Sequence, residues 1–164
     1  MTGPGGADGF THLDATGAAR MVDISGKEIS VRTARATGQV LIRSEAIALL
    51  RAGALPKGDA LAVARIAAIQ AAKRTPDLVP LCHPIAIHGV DVTLTVLDDQ
   101  VAISATVRTA DRTGVEMEAL TCVAVAGLAL IDMVKSVDPG AVITGVRVEE
   151  KTGGKTGYWS RDDS

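Results

Sequence analysis

Between Thr113 and Lys135 the chain reads TGVEMEALTCVAVAGLALIDMVK, with Glu116 and Glu118 at one end, Asp132 and Lys135 at the other, and no charge between Glu118 and Asp132. Carboxylates and ammonium groups at the rims of an apolar helix persist only when paired, hydrated or used. The types present suit proton transfer at carboxylates and charge stabilisation by lysine. Asp132 and Lys135, three apart, share a helical face, so the ammonium can hold the carboxylate and tune its proton affinity. His83 stands between Cys82 and Pro84, which fixes the backbone on either side of an imidazole suited to acid/base work. Cys82 beside it lies in no motif that activates a thiol, and a buried small hydrophobe is the plainer expectation. Lys57 opens a predicted helix against the preference of helix N-termini for anions, so Asp59 or a bound phosphate must compensate.

The glycine-rich stretch Lys151-Thr-Gly-Gly-Lys-Thr-Gly157 is not a phosphate-binding P-loop, because position 149 is Glu where that pattern needs Gly, and no helix follows. Two lysines on a turn of exposed backbone N–H groups still suit a polyphosphate, with a solvated tail as the simpler alternative.

These groups need elements to hold them. The apolar span Ala119–Ile131 predicts a core helix, buried nearly all round and too short to cross a bilayer. At about 1.5 Å and 100° per residue, Asp132 lies about 21 Å along the axis from Glu118 and about 40° around it. One chain cannot bring both into one pocket; two copies packed antiparallel across a two-fold axis can. Gly127, near the midpoint, permits close approach of a neighbouring helix or sheet. Upstream, SVRTARATGQVLI from Ser30 predicts a strand, Ser44 starts a short helix stopped at Gly53, and a second helix runs from Lys57 to Arg74. Val79–Pro84 is a stiff loop. Val90–Val96 and Val101–Val107 alternate as a hairpin, and ITGVRVEE at 143–150 supplies a last strand. With the first two helices counted as one crossover, the order is the β-α-β-β-α-β of an α+β, ferredoxin-like antiparallel sheet with helices packed on one face.

Composition narrows the function classes. The 164 residues carry a net charge of −2, 47% hydrophobic residues, and one each of Phe, Tyr and Trp. That is material for one domain, without the basic runs or aromatic platforms of a nucleic-acid binder. Residues 1–9 read as a disordered lead, 10–157 as a single catalytic domain and 158–164 as a C-terminal tail. With neither a signal pattern nor a predicted membrane span, and with Cys82 and Cys122 outside any metal-ligand spacing, a cytoplasmic chain with reduced thiols is expected.

FTHLDATGAARMVDISGK, KGDALAVARIAAIQAAKRTPDLVPLCHP, ATVRTADRTGVEMEALTCVAVAGLALIDMVK and EEKTGGKTG resemble, in order, the motifs of the cyclic pyranopterin monophosphate synthase family, the C proteins of molybdenum cofactor biosynthesis. The resemblance covers residues 10–157. It implies a homohexamer, a trimer of dimers with active sites between subunits. It further implies a lyase that converts (8S)-3′,8-cyclo-7,8-dihydroguanosine 5′-triphosphate to cyclic pyranopterin monophosphate and releases pyrophosphate. It places Leu81, Cys82, His83, Met117 and Glu118 in substrate binding, Asp132 as the acid/base, and Lys57, Lys135 and Lys151 among the functional lysines. Asp132, Lys135, His83 and Lys57 are accordingly the expected catalytic set, while Leu81, Cys82, His83, Glu116, Met117, Glu118 and Lys151 are expected to bind substrate. No metal ligand and no cofactor is implied, and whether magnesium accompanies the triphosphate is left open. Against this stand a non-catalytic oligomer that binds a nucleotide-derived ligand, and a thiol-dependent or metal hydrolase built on Cys82 and His83.

Overall fold

The structure is a computed structural model that describes residues 12–14, 16–155 and 157–161. The expected lead at 1–9 lies outside them. Strand β1 (Ser30–Leu41) is followed by helices α1 (Ser44–Arg51), α2 (Ala60–Ala72) and α3 (Thr75–Leu78), strands β2 (Gly89–Val96) and β3 (Gln100–Asp111), helix α4 (Glu116–Val134), and strands β4 (Val142–Thr152) and β5 (Trp159–Ser160). The strands form one sheet in the order β2-β3-β1-β4-β5, antiparallel throughout. The first four have the ferredoxin-like order; β5 adds an edge and carries strand pairing past 157 into the expected tail.

Alternation sets the core. Ala34, Ala36 and Val40 of β1 lie opposite Val107, Ala105 and Val101 of β3, and all six are fully buried. Helix α4 packs over β1, β3 and β4, and α2 packs beside α4 and over β2. Small residues allow the approach: a Cβ on Gly38 would meet a Val123 methyl at 2.7 Å, and one on Gly127 would meet Ile143 at 3.0 Å. The close neighbour foreseen for Gly127 is thus the sheet. At 19 residues α4 is long and apolar enough to span a membrane, contrary to the shorter span read from its uncharged stretch. Its fully buried Ala119, Cys122, Val123, Ala126 and Leu130 make it instead the core helix that the sequence predicts.

Helix ends differ from expectation where capping decides them. The Asp59 side chain accepts from Ala62 N at 2.9 Å, so α2 starts at Ala60 and Lys57 lies in the preceding turn. Ser44 opens α1, but its N-cap is Arg43, without a side-chain bond. Pro76 lies in the first turn of α3, where its missing N–H costs nothing.

The relation between α2 and α4 governs the site. Late in α2, the Ala68 carbonyl accepts from Cys122 Sγ early in α4 at 3.2 Å; just before α2, Lys57 reaches Asp132 late in α4. The helices are therefore antiparallel. The turn before α2 belongs to one end of α4, and the loop beyond α2 and α3 to the other.

Candidate active site

At the C-terminal end of α4, Asp132 sits between two ammonium groups. Lys135, the C-cap residue, meets Oδ1 at 2.7 Å. Lys57 donates to Oδ2 at 2.9 Å and to the Asp132 main-chain carbonyl at 2.8 Å. Gly58, at φ 93°, supplies the left-handed residue that follows Lys57 in its turn. The anion that compensates Lys57 is therefore Asp132. The hydrogen bonds from Lys135 and then Lys57 hold the Asp132 carboxyl at about 2, so it is ionised throughout the neutral range. Behind it, the Asp138 carboxylate accepts from Arg43 N at 2.8 Å, Arg43 Nε at 3.0 Å and Gly140 N at 3.0 Å, fixing the turn that leaves α4.

The other end has two parts. Lys151, near the end of β4, pairs with Glu116 at 2.7 Å. Glu118, in the first turn of the helix, is 3% exposed, and burial pushes its carboxyl above the ordinary carboxylate range, with the Glu116 charge adding to the rise. Cys82 lies in the field of Glu118. Its thiol is raised first by burial and then by that charge, which keeps it protonated and removes the thiol nucleophile that a Cys82–His83 hydrolase needs. Burial raises the Cys122 thiol to about 12. His83 Nε2 stands 2.6 Å from the Val22 carbonyl; a carbonyl only accepts, so Nε2 carries the proton and Nδ1 is left as the second polar atom. Leu81 and Met117 are 37% and 39% exposed, apolar surfaces flanking this loop.

Around Lys151 the structure assembles cations that the sequence leaves scattered. Lys27, Arg32, Arg112, Lys151 and Lys155 line a pocket of 180 Å³, in which Glu116 is the single carboxylate. Arg32 Nε donates to the Asp111 carbonyl at 2.9 Å and Arg112 Nε to the Lys27 carbonyl at 2.8 Å, which orients both guanidinium groups without neutralising them. Among the described residues, Lys27, Arg32, Arg112 and Lys155 have no carboxylate within ion-pair distance. Lys27, Arg32 and Lys155 also line a neighbouring cleft of 640 Å³. Gly153 and Gly154, at φ 94° and 69°, lie so close to β1 that a side chain on either would strike Val31 or Arg32. Gly153 and Gly154 thus pack on β1, and the turn that holds them contributes to the cation-lined pocket. Lys27, Arg32 and Arg112 were missed among the sequence candidates. The available signal was Arg32: by alternation it shares the inward face of β1 with Ala34 and Ala36, where a charge needs a use.

The expected residues therefore fall into two groups. Glu116, Met117, Glu118, Cys82 and Lys151 gather at the start of α4, with Leu81 and His83 in the loop beside them, whereas Lys57, Asp132 and Lys135 gather at its end. Among the described residues, no three His, Cys, Asp or Glu side chains are grouped to hold a metal ion. Residues 21–154 match the model of the MoaC family. The chain belongs to the MoaC family. It is 65% identical over 159 residues to the cyclic pyranopterin monophosphate synthase of Streptomyces avermitilis, covering 97% of this chain and 94% of that one. It is 62% identical over 155 residues to the protein of that name from Nocardioides sp., covering 93% and 95%. Cyclic pyranopterin monophosphate synthase 2 of Mycobacterium bovis is 57% identical over 152 residues, covering 93% and 91%.

The raised Glu118 carboxyl has a consequence for stability in this MoaC family member. A group whose folded-state pKa is raised adds stability that is full below its unfolded pKa and is lost as pH rises through the folded value. Gln keeps the shape and cannot ionise. Glu118→Gln is therefore expected to raise the thermal midpoint relative to the parent at neutral and alkaline pH, and the gap should shrink towards acidic pH. An equal offset at every pH in a melting series would contradict the assignment.

Proposed function

We propose that this chain is a cyclic pyranopterin monophosphate synthase, converting (8S)-3′,8-cyclo-7,8-dihydroguanosine 5′-triphosphate to cyclic pyranopterin monophosphate and pyrophosphate in molybdenum cofactor biosynthesis. The observation that carries this reading is the cation-lined pocket at the start of α4, the helix whose buried Glu118 carboxyl is raised above its ordinary range, in a chain 65% identical to a protein of that name. The reaction opens the purine five-membered ring, closes a pyrazine ring and forms a cyclic phosphate, so it moves protons and expels pyrophosphate. Lys27, Arg32, Arg112, Lys151 and Lys155 bind the triphosphate through charge-assisted contacts. Glu118 suits proton donation. Asp132, ionised between Lys57 and Lys135, is available to accept a proton, with the lysines positioning it while they lower its proton affinity.

Both ends of α4 serve one site when two chains meet. Between the ends, α4 carries an outward stripe with Met117 39% and Leu128 59% exposed, and α2 adds Val63 and Ile66 at 45% and 57%. Met117, Leu128 and Asp132 fall on one helical face, so antiparallel packing of two copies would cover the apolar stripe and bring Glu118 of each chain towards Asp132 of the other. Such dimers, joined as a hexamer in the cytoplasm, are the assembly and location we assign.

The activity is tested by mixing the purified chain with the cyclised nucleotide under single-turnover conditions, where pyrophosphate and the cyclic phosphate should appear in equal amounts. Binding without turnover would favour a non-catalytic member. For the pocket, Arg32→Ala and Lys155→Ala are each expected to weaken substrate binding by about 10-fold and to make the remaining affinity less sensitive to salt. Calorimetric titration at two ionic strengths reads both effects, and unchanged affinity in both variants would remove the triphosphate from this pocket.

A further inference from the structure

Successive side chains of an uninterrupted strand face opposite sides of the sheet, so residues on one face are separated by even numbers. On β4, Val148 stands opposite Ala36 and Lys151 stands opposite Ala34. Both alanines are fully buried beneath the helices, so Val148 and Lys151 share the helix face at an odd separation. The pairing slips between Arg35 and Ala36: Arg35 faces Glu150, Ala36 faces Val148, and Glu149 is the extra residue of a β-bulge. Were Glu149 paired in regular alternation instead of bulged, Lys151 would turn to the open face of the sheet and Glu150 would take the inward position, placing an anion where the pocket has a cation.

The bulge is pinned through the Glu149 carboxylate. Its Oε1 accepts from Thr37 Oγ1 of β1 and from Arg147 Nε of β4 at 2.7 Å, and Arg161 Nε approaches Oε2 at 3.7 Å. The side chain is 12% exposed, and the Thr37 bond followed by the Arg147 bond holds its carboxyl below the ordinary range. Arg161 also donates to the Val148 carbonyl at 2.9 Å and lies 5.8 Å from the ring centre of Trp159, whose strand β5 pairs with Glu150 and Lys151. Groups from β1, β4 and the segment after β5 thus converge on the one residue that sets the direction of Lys151.

We infer that Glu149 is a positioning residue for the reaction: it fixes the bulge that turns Lys151 onto the helix face, where Lys151 meets Glu116 and the anion pocket. The inference rests on the proposed use of that pocket for the triphosphate.

The test compares the full-length parent, Glu149→Ala, Glu149→Gln, Lys151→Ala and the Glu149→Ala/Lys151→Ala double variant in calorimetric titrations with inorganic tripolyphosphate. Glu149→Ala should lose about 10-fold in affinity, as Lys151→Ala does, and the double variant should lose no more than Lys151→Ala alone. Glu149→Gln keeps acceptors for Thr37 and Arg147 and should recover most of the loss. In steady-state assays the Glu149→Ala defect should appear in KM, with kcat near that of the parent. Additive losses, or parent affinity in Glu149→Ala when Lys151→Ala is weakened, would overturn the inference. A second readout needs no ligand: the Lys151 side-chain NMR resonances, identified by their loss in Lys151→Ala, should move in Glu149→Ala. Thr37→Val, the milder variant should Glu149→Ala not fold, should move them in the same direction. If they move while Lys151→Ala binds tripolyphosphate as tightly as the parent, the bulge assignment stands and the pocket reading fails; if they stay, the role of Glu149 is refuted.

Discussion

Asp132→Asn should lower turnover at saturating cyclised nucleotide by about 10²-fold or more, with KM changed far less. The substitution keeps the size of the side chain and an oxygen that accepts from Lys57 or Lys135. What it removes is the negative charge between two ammonium groups, at 2.9 Å and 2.7 Å, and the ability to take up a proton. The parent carboxyl, held at about 2, is ionised at every working pH, so the proposed role as a base requires no prior deprotonation. Substrate or a ring-opened species should accumulate on the variant in single-turnover experiments. Normal turnover of Asp132→Asn once saturated would transfer the proton chemistry to another group, and Glu118 would be the next to test.

An equally large effect, in the opposite direction, is expected on mixing two inactive variants. Glu118→Gln disables the start of α4 and Asp132→Asn its end, and about 21 Å of helix separates the two positions in one chain. If each site takes its α4 start from one chain and its α4 end from another, random subunit exchange in an equal mixture makes about one site in four fully wild type. Activity should rise from the background of the separate variants to about a quarter of the parent value, on the timescale of exchange followed with labelled chains. Complete exchange without recovery would place the whole catalytic set within one chain and contradict the two-chain site. A fully active monomer in sedimentation at assay concentration would contradict it as directly.

Much of this architecture is legible in local pattern. The apolar run with charges only at its ends makes α4 a core helix, because each residue type reports its own cost of burial. The alternation through Val90–Val107 gives the β2–β3 hairpin, and the order of elements gives the ferredoxin-like strand order, because crossover geometry admits few topologies. Lys135 three residues after Asp132 gives an ion pair through helix geometry alone.

Other features depend on which distant segments pack together. Lys57 joins Asp132 because α2 and α4 are antiparallel and alanine-lined, and the same packing delivers the Cys82–His83 loop to the opposite end, beside Glu118. A Lys at an apparent helix start, with Asp59 two residues on, gave the sequence a nearer partner for a charge that the fold pairs elsewhere. The cation-lined pocket draws Arg32 from the start of β1, Arg112 from just after β3 and Lys155 from the turn after β4, which antiparallel register brings to one end of the strands. The inward direction of Lys151 depends on one unpaired residue, Glu149. Periodicity within a segment determines what must be buried and is therefore written in the sequence. The partner of an exposed charge and the register of a bulged strand are decided by competition among contacts between segments far apart in the chain, and only the tertiary structure resolves it.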